Sequence, residues 1–144
     1  MQFTKAEEYG MLGVLYLSEK NSGSVTPLSE IAEAKAIPEK FLAKIFQSLS
    51  RASIVRSHRG VRGGFSLAKI PKDITVKEVL ESIHGPYHLV KCTKDAEMCD
   101  SAEFCSLREL LSIAENKLIQ IFQDHTLADL VEWEHAKKQM SLSK

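Results

Sequence analysis

The chain has 144 residues, 44% hydrophobic and 26% charged, with 19 Lys and Arg balancing 19 Asp and Glu. That length suits one compact domain with at most one appended element, and the composition excludes a chain dominated by disorder or short repeats. No stretch is apolar enough to span a bilayer, and Met1-Gln2-Phe3-Thr4-Lys5-Ala6-Glu7-Glu8 lacks the basic-then-apolar order of a signal peptide, so no membrane partner is expected. The cysteines are three, an odd number, and all lie between Cys92 and Cys105; this fits a reduced compartment, the cytoplasm, better than a secreted disulfide framework.

Helix starts are marked by three capping boxes, Thr4 with Glu7, Thr75 with Glu78 and Thr126 with Asp129. The first helix is expected over 5–20, with Met11, Leu12, Leu15 and Tyr16 at helical spacing and Asn21-Ser22-Gly23-Ser24 ending it. Thr26-Pro27 reads as an N-cap followed by proline in the first turn, opening a short helix through Ala36 that turns Leu28, Ile31 and Ala32 inward. Pro38 opens the next helix, to about Ala52, with Phe41, Leu42, Ile45, Phe46 and Leu49 as its apolar stripe and Lys40, Lys44, Gln47 and Arg51 over much of the remainder. Two helices joined by one tight turn form a helix-turn-helix.

Ile54–His58 and Phe65–Ala68 read as two short strands around Arg59-Gly60-Val61-Arg62-Gly63-Gly64, whose glycines suit a tight hairpin tip. A ribbon in that position is a wing, with Arg59 and Arg62 placed for phosphate or minor-groove contact. A further helix is expected over 74–83. From Gly85-Pro86 to Cys105 there is no period, only a loop of ~20 residues, longer than compact domains normally keep without a functional reason. Beyond it Leu107, Leu110, Leu111, Ala114, Leu118, Ile121 and Phe122 make an apolar stripe on a helix that needs a partner.

Charge is unevenly spread. From Thr26 to Lys69 there are eight bases against three acids, a local excess of +5 in a neutral chain. A solvated face is the alternative reading of the basic helix taken alone, but the wing directly behind it favours double-stranded DNA. The N-terminal half of that helix would enter the major groove, where Lys40 and Lys44 meet phosphate or guanine edges and Phe41 anchors the helix or touches a thymine methyl. The expected DNA-facing set is Thr26, Pro38, Lys40, Phe41, Lys44, Arg51, Arg56, His58, Arg59 and Arg62. No nucleophile–base constellation, phosphate-binding glycine loop or metallohydrolase motif is present, so no enzyme is expected.

The cysteine spacing, Cys92-x6-Cys99-x5-Cys105, lacks the CxxC pairs of common zinc modules, yet three soft thiolates in one loop can converge on a metal. The spacing leaves an iron-sulfur cluster, zinc, a thiol switch and inert cysteines open.

Several stretches together resemble the winged-helix Fe-S regulators of the IscR, NsrR and RirA type. They are Met1-Gln2-Phe3-Thr4-Lys5, Ile31-Ala32, Ile37-Pro38-Glu39-Lys40-Phe41-Leu42, Ile54-Val55-Arg56-Ser57, Arg59-Gly60-x-x-Gly63-Gly64-Phe65, Ile74-Thr75 with Val79, the three cysteines and Thr126-Leu127-Ala128-Asp129-Leu130. The resemblance spans almost the whole chain. It implies a homodimer built on the helix beginning near Leu107, a [2Fe-2S] or [4Fe-4S] cluster on Cys92, Cys99 and Cys105, and repressor or activator activity switched by iron, nitric oxide or redox state. Where IscR-like members place a histidine ligand, three positions after the last cysteine, this chain has Arg108, which cannot lose its proton to become a ligand. Glu8 stands where NsrR-like members supply a carboxylate from the opposite subunit; a favourable acid in a first helical turn is its other reading. His88 and His125 are further ligand candidates, and Ala43 replaces an acidic residue of IscR-like recognition helices, so no operator sequence carries over.

The expected architecture is mainly α with a small β-hairpin: a winged helix-turn-helix domain over 1–84, a cluster-binding loop over 85–106, and a dimerisation helix with a C-terminal helix over 107–144. A cluster-free thiol-switch regulator is the alternative.

Overall fold

A computed structural model describes residues 2–143; the outermost residues of the expected divisions, Met1 and Lys144, lie outside them. Three helices and a hairpin form the head: α1 (Lys5–Ser18), α2 (Leu28–Lys35), α3 (Glu39–Arg51), β1 (Val55–His58) and β2 (Gly64–Leu67). Then come α4 (Val76–His84), a short α5 (Lys91–Lys94), the long α6 (Ser106–Asp124) and α7 (Leu127–Leu142). The strands pair antiparallel, with Val55 opposite Leu67, Arg56 opposite Ser66, Ser57 opposite Phe65 and His58 opposite Gly64.

The capping boxes form at α1, α4 and α7, each threonine accepting from the N3 backbone N–H while the N3 acid accepts from the threonine N–H. Thr26 departs from its expected role. Its N–H and carbonyl both pair with Phe65 at 2.8 Å, its side chain is enclosed, and α2 instead starts behind Pro27 with no side-chain cap. Strand-like pairing with the wing outcompetes local capping, because it satisfies two backbone groups in a buried place. Gly64 permits that closeness: a β-carbon there would overlap the Thr26 carbonyl.

The core gathers Val14 and Leu17 of α1, Ile31 of α2, Leu42, Ile45, Phe46 and Leu49 of α3, Ile54 and Val55 of the wing, and Val79 and Leu80 of α4. Within α1 the buried line runs through Glu7, Gly10, Met11, Gly13, Val14 and Leu17, while the expected Leu12, Leu15 and Tyr16 are only half-buried. The start of α7 joins the core of the head. Leu127 is fully buried in the same core, its N–H donates to the Ile74 carbonyl, and Val76 N–H donates to the His125 carbonyl. No helix among the described residues is long and apolar enough to cross a membrane.

Gly13 sits where α1 crosses α3, and a β-carbon there would lie 2.6 Å from the Phe46 ring. Alanine ordinarily stabilises a helix interior over glycine by about 1 kcal/mol. Here the sign should reverse: Gly13→Ala is expected to lose roughly 1–3 kcal/mol through overpacking, read as a lowered urea midpoint with unchanged m-value.

Candidate nucleic-acid interface and cysteine loop

Ala36, in the left-handed region at φ 53°, ends α2, and Ile37 N–H returns to the Ala32 carbonyl at 2.9 Å, setting a tight turn into α3. The buried face of α3, Leu42, Ile45, Phe46 and Leu49, leaves Lys40, Lys44, Gln47 and Arg51 on the opposite, solvent face. Pro38 is exposed at its head. Phe41 is half-exposed, and its buried edge makes a T-shaped contact with Tyr9 of α1 at 5.6 Å between centroids, so the ring both anchors α3 and faces outward.

The wing continues this surface. Phe65 packs edge-on to Phe46 at 5.0 Å and fixes the hairpin against α3. His58 Nε2 lies 2.8 Å from Ser66 Oγ across the ribbon, while Arg56, Arg59, Val61 and Arg62 are exposed. Gly60, at φ 104°, accepts from Gly63 N–H at 3.0 Å to close the tip. Among the described residues none of Lys40, Lys44, Arg51, Arg56, Arg59 and Arg62 is in an ion pair, whereas Lys69 is matched by Glu78 at 3.2 Å. Such a set of exposed, uncompensated cations along α3 and the wing projects a positive field suited to a polyanion.

The cysteine loop is built of short turns: α5, then 3-10 turns at Ala96–Met98 and Ala102–Phe104. Cys92 lies in α5, Cys99 between the two 3-10 turns, and Cys105 at the N-cap of α6, where its Sγ accepts from Arg108 N–H at 3.4 Å. All three thiols are free and partly exposed. The Cys99 thiol is held below the usual range by Ser101, whose hydroxyl is 3.5 Å away and whose backbone N–H adds to it, and by the more distant Arg108 cation; slight burial and Asp100 oppose this. Glu8 is exposed on α1 and paired with Lys5 at 3.0 Å. His125 Nδ1 is taken by the Ile121 carbonyl at 2.7 Å, and His88 Nδ1 by Glu115 at 3.1 Å. Among the described residues no three Cys, His, Asp or Glu side chains are gathered as a metal-binding group, so one chain alone does not bring Glu8 and the three cysteines together.

A family of iron-dependent transcriptional regulators, Rrf2, matches this chain from residue 3 to 133. The chain belongs to the Rrf2 family. Rrf2 proteins are DNA-binding transcription regulators and not enzymes. Similar structures include CymR, the global cysteine regulator of B. subtilis, at 26% identity and TM-score 0.76 over 92% of this chain and 98% of that one. A candidate transcriptional regulator from Listeria innocua is similar at 30% identity and TM-score 0.77, over 92% and 87%. T. potens IscR shares the fold at 22% identity and TM-score 0.74, over 92% and 87%.

Sequence reasoning missed Glu115, a buried acid on α6 whose oxygens accept from Leu89 N–H at 2.9 Å and face the His88 ring. Burial alone would push its carboxyl up; the Thr93 hydroxyl, the Leu89 N–H and His88 reverse this and hold it below the usual carboxylate range. The readable signal was an acid three residues before Leu118 and seven before Phe122, on the inward side of the helix.

Because Ser101 contributes most to lowering the Cys99 thiol, Ser101→Ala should move it back up. Alkylation of Cys99 by iodoacetamide, followed against pH by mass spectrometry, should show a lower midpoint in the wild type than in the variant. Equal midpoints in the two proteins would contradict this account of the thiol.

Proposed function

We propose that this Rrf2 protein is a homodimeric operator-binding regulator whose cysteine loop carries an iron-sulfur cluster and reports iron, nitric oxide or redox state. The observation that carries the reading is the loop itself: three free thiols within residues 92–105, on short turns with only Ala102 buried between His88 and Ser106. A segment with so little core of its own is suited to being organised by what it binds. The donor set fits such a group, since all three thiols are soft sulfur donors and partly accessible. Cys92, Cys99 and Cys105 would hold the cluster, with Glu8 of a second copy as the fourth ligand. When bound, the cluster supplies a link that oxidants, nitric oxide or iron shortage can break.

Dimerisation is supported by α6. Leu111, Leu118 and Phe122 are half-buried on it, while Leu107, Leu110, Ile113 and Ile121 stand more than half exposed. Apolar side chains in a row at helical spacing need cover, and a second copy of the same helix supplies a self-complementary one. Two heads then present two recognition helices to half-sites one helical turn apart or a multiple of it. Within each head Lys40, Phe41, Lys44, Arg51, Arg56, Arg59 and Arg62 form the DNA face, with Pro38 at its margin, His58 bracing the wing and Thr26 acting from behind it as a tie.

The cluster-free thiol switch is favoured by one observation, the lowered Cys99 thiol beside Ser101. Anaerobic purification with iron and sulfide analysis separates the two readings. Stoichiometric iron and sulfide in the wild type, lost in Cys99→Ala and weakened in Glu8→Ala, is the expected result; a metal-free wild type that releases DNA reversibly on oxidation would replace the cluster with the switch. On the DNA side, Arg59→Ala and Arg62→Ala should each reduce the slope of log affinity against log salt by ~1, while Lys69→Ala, already paired with Glu78, should change it little.

A further inference from the structure

The cysteine loop is fastened by polar contacts rather than by a core, and two of the fastenings come from one face of α6. Glu115 is only 7% exposed, a place where carboxylates seldom sit without partners. Its Oε2 accepts from Leu89 N–H at 2.9 Å and its Oε1 lies 3.1 Å from His88 Nδ1, 26 and 27 residues away along the chain. Two helical turns earlier, Arg108 donates from Nε to the Cys92 carbonyl at 3.0 Å, while its backbone N–H donates to Cys105 Sγ at 3.4 Å. A seven-residue spacing puts both side chains on the same side of the helix. The loop is thus held at its entry by a buried acid and at its first cysteine by a fixed cation.

We propose that Glu115 and Arg108 are the positioning residues of the cysteine loop, Glu115 seating its entry at His88 and Leu89, and Arg108 seating Cys92 beside the Cys105 end of α6. This rests on reading the loop as the sensing element. Through this one residue α6 fastens both ends of the loop, the Cys92 backbone by the guanidinium and the Cys105 thiol by the backbone N–H, while among the described residues the Cys99 side chain hydrogen-bonds only Ser101. Arg108, unable to serve as a ligand, acts on the backbone that presents one. Removing either side chain leaves unpaired groups behind: a Leu89 N–H in one case, a Cys92 carbonyl in the other.

The test uses the full metal-free protein, with amide hydrogen exchange at Leu89 and iodoacetamide alkylation of each cysteine read by mass spectrometry. Glu115→Gln, whose amide oxygen still accepts but carries no charge, should speed Leu89 exchange severalfold, the size of replacing a charged acceptor by a neutral one, with amides of α1 to α4 unchanged. Arg108→Gln should raise the Cys92 alkylation rate severalfold, and Arg108→Lys, which keeps the charge and a donor, should recover most of it. Should Glu115→Gln loosen the whole molecule instead, the Arg108 pair decides. Unchanged Leu89 exchange together with an unchanged Cys92 rate overturns the proposal. Iron analysis of the same variants keeps the two ideas separate: no iron in the wild type with both local effects present removes the cluster and leaves the latch, and iron in every variant with neither effect removes the latch and leaves the cluster.

Discussion

The close crossing of α1 over α3 and α4 sets the geometry on which the proposed DNA face depends. Gly13 leaves the space that the Phe46 ring fills, and Gly10 leaves space for Ile83 and Ile45. Each glycine weakens the helix by roughly 0.5–1 kcal/mol relative to alanine, and burial of a phenylalanine and two isoleucines offsets that cost. Phe46, fully buried, touches α1 on one side and the Phe65 ring of the wing on the other. One aromatic side chain therefore sets the recognition helix and the wing in a fixed relation, and Thr26, paired to Phe65 from behind, closes the arrangement.

Electrostatics follow from how the acids are spent. In a chain of zero net charge, Glu7, Glu78 and Asp129 are consumed by capping, Glu30 by Tyr16 and Lys20, Glu81 by Lys77, Glu134 by Lys138 and Glu115 by the loop. The recognition helix and wing keep their cations uncompensated. A neutral protein thereby carries a cationic face without the global self-repulsion of a basic one.

Features carried by local chemistry were legible in the sequence. The capping boxes, the order of helix, turn, helix and hairpin, and the glycine tip follow from residues within a few positions of one another, and their boundaries shift by only a residue or two. Thr26 was misread because Thr-Pro before a helix looks the same whether the threonine caps it or, as here, pairs with a strand nearly 40 residues downstream. The long helix read as one stripe of Leu107, Leu110, Leu111, Ala114, Leu118, Ile121 and Phe122, whereas its exposed members Leu107, Leu110 and Ile121 and its half-buried members Leu111, Leu118 and Phe122 interleave in the chain. The inward place of Glu115 was readable from its spacing, but the partners of Glu115 and Arg108 were beyond pattern, since they lie 16 to 27 residues away in a segment with no period.

The two sides of α6 give the proposed sensor a mechanical route to DNA. On its inner side the helix holds the cysteine loop through Arg108 and Glu115 and packs the Phe122 ring against Tyr87, which follows directly on α4. Its outer side carries the exposed apolar row that a second copy would cover. At 19 residues the helix is about 28 Å long, so a tilt of ~5° at the loop end displaces the other end by ~2.5 Å. That other end leads through His125 and Thr126 into the backbone pairing with Ile74 and Val76, at the base of the head. A tilt of that size would reach the head as a shift of the order of the 1–2 Å helix movements by which interfaces switch, and in the proposed dimer two heads matched to fixed half-sites would be sensitive to it.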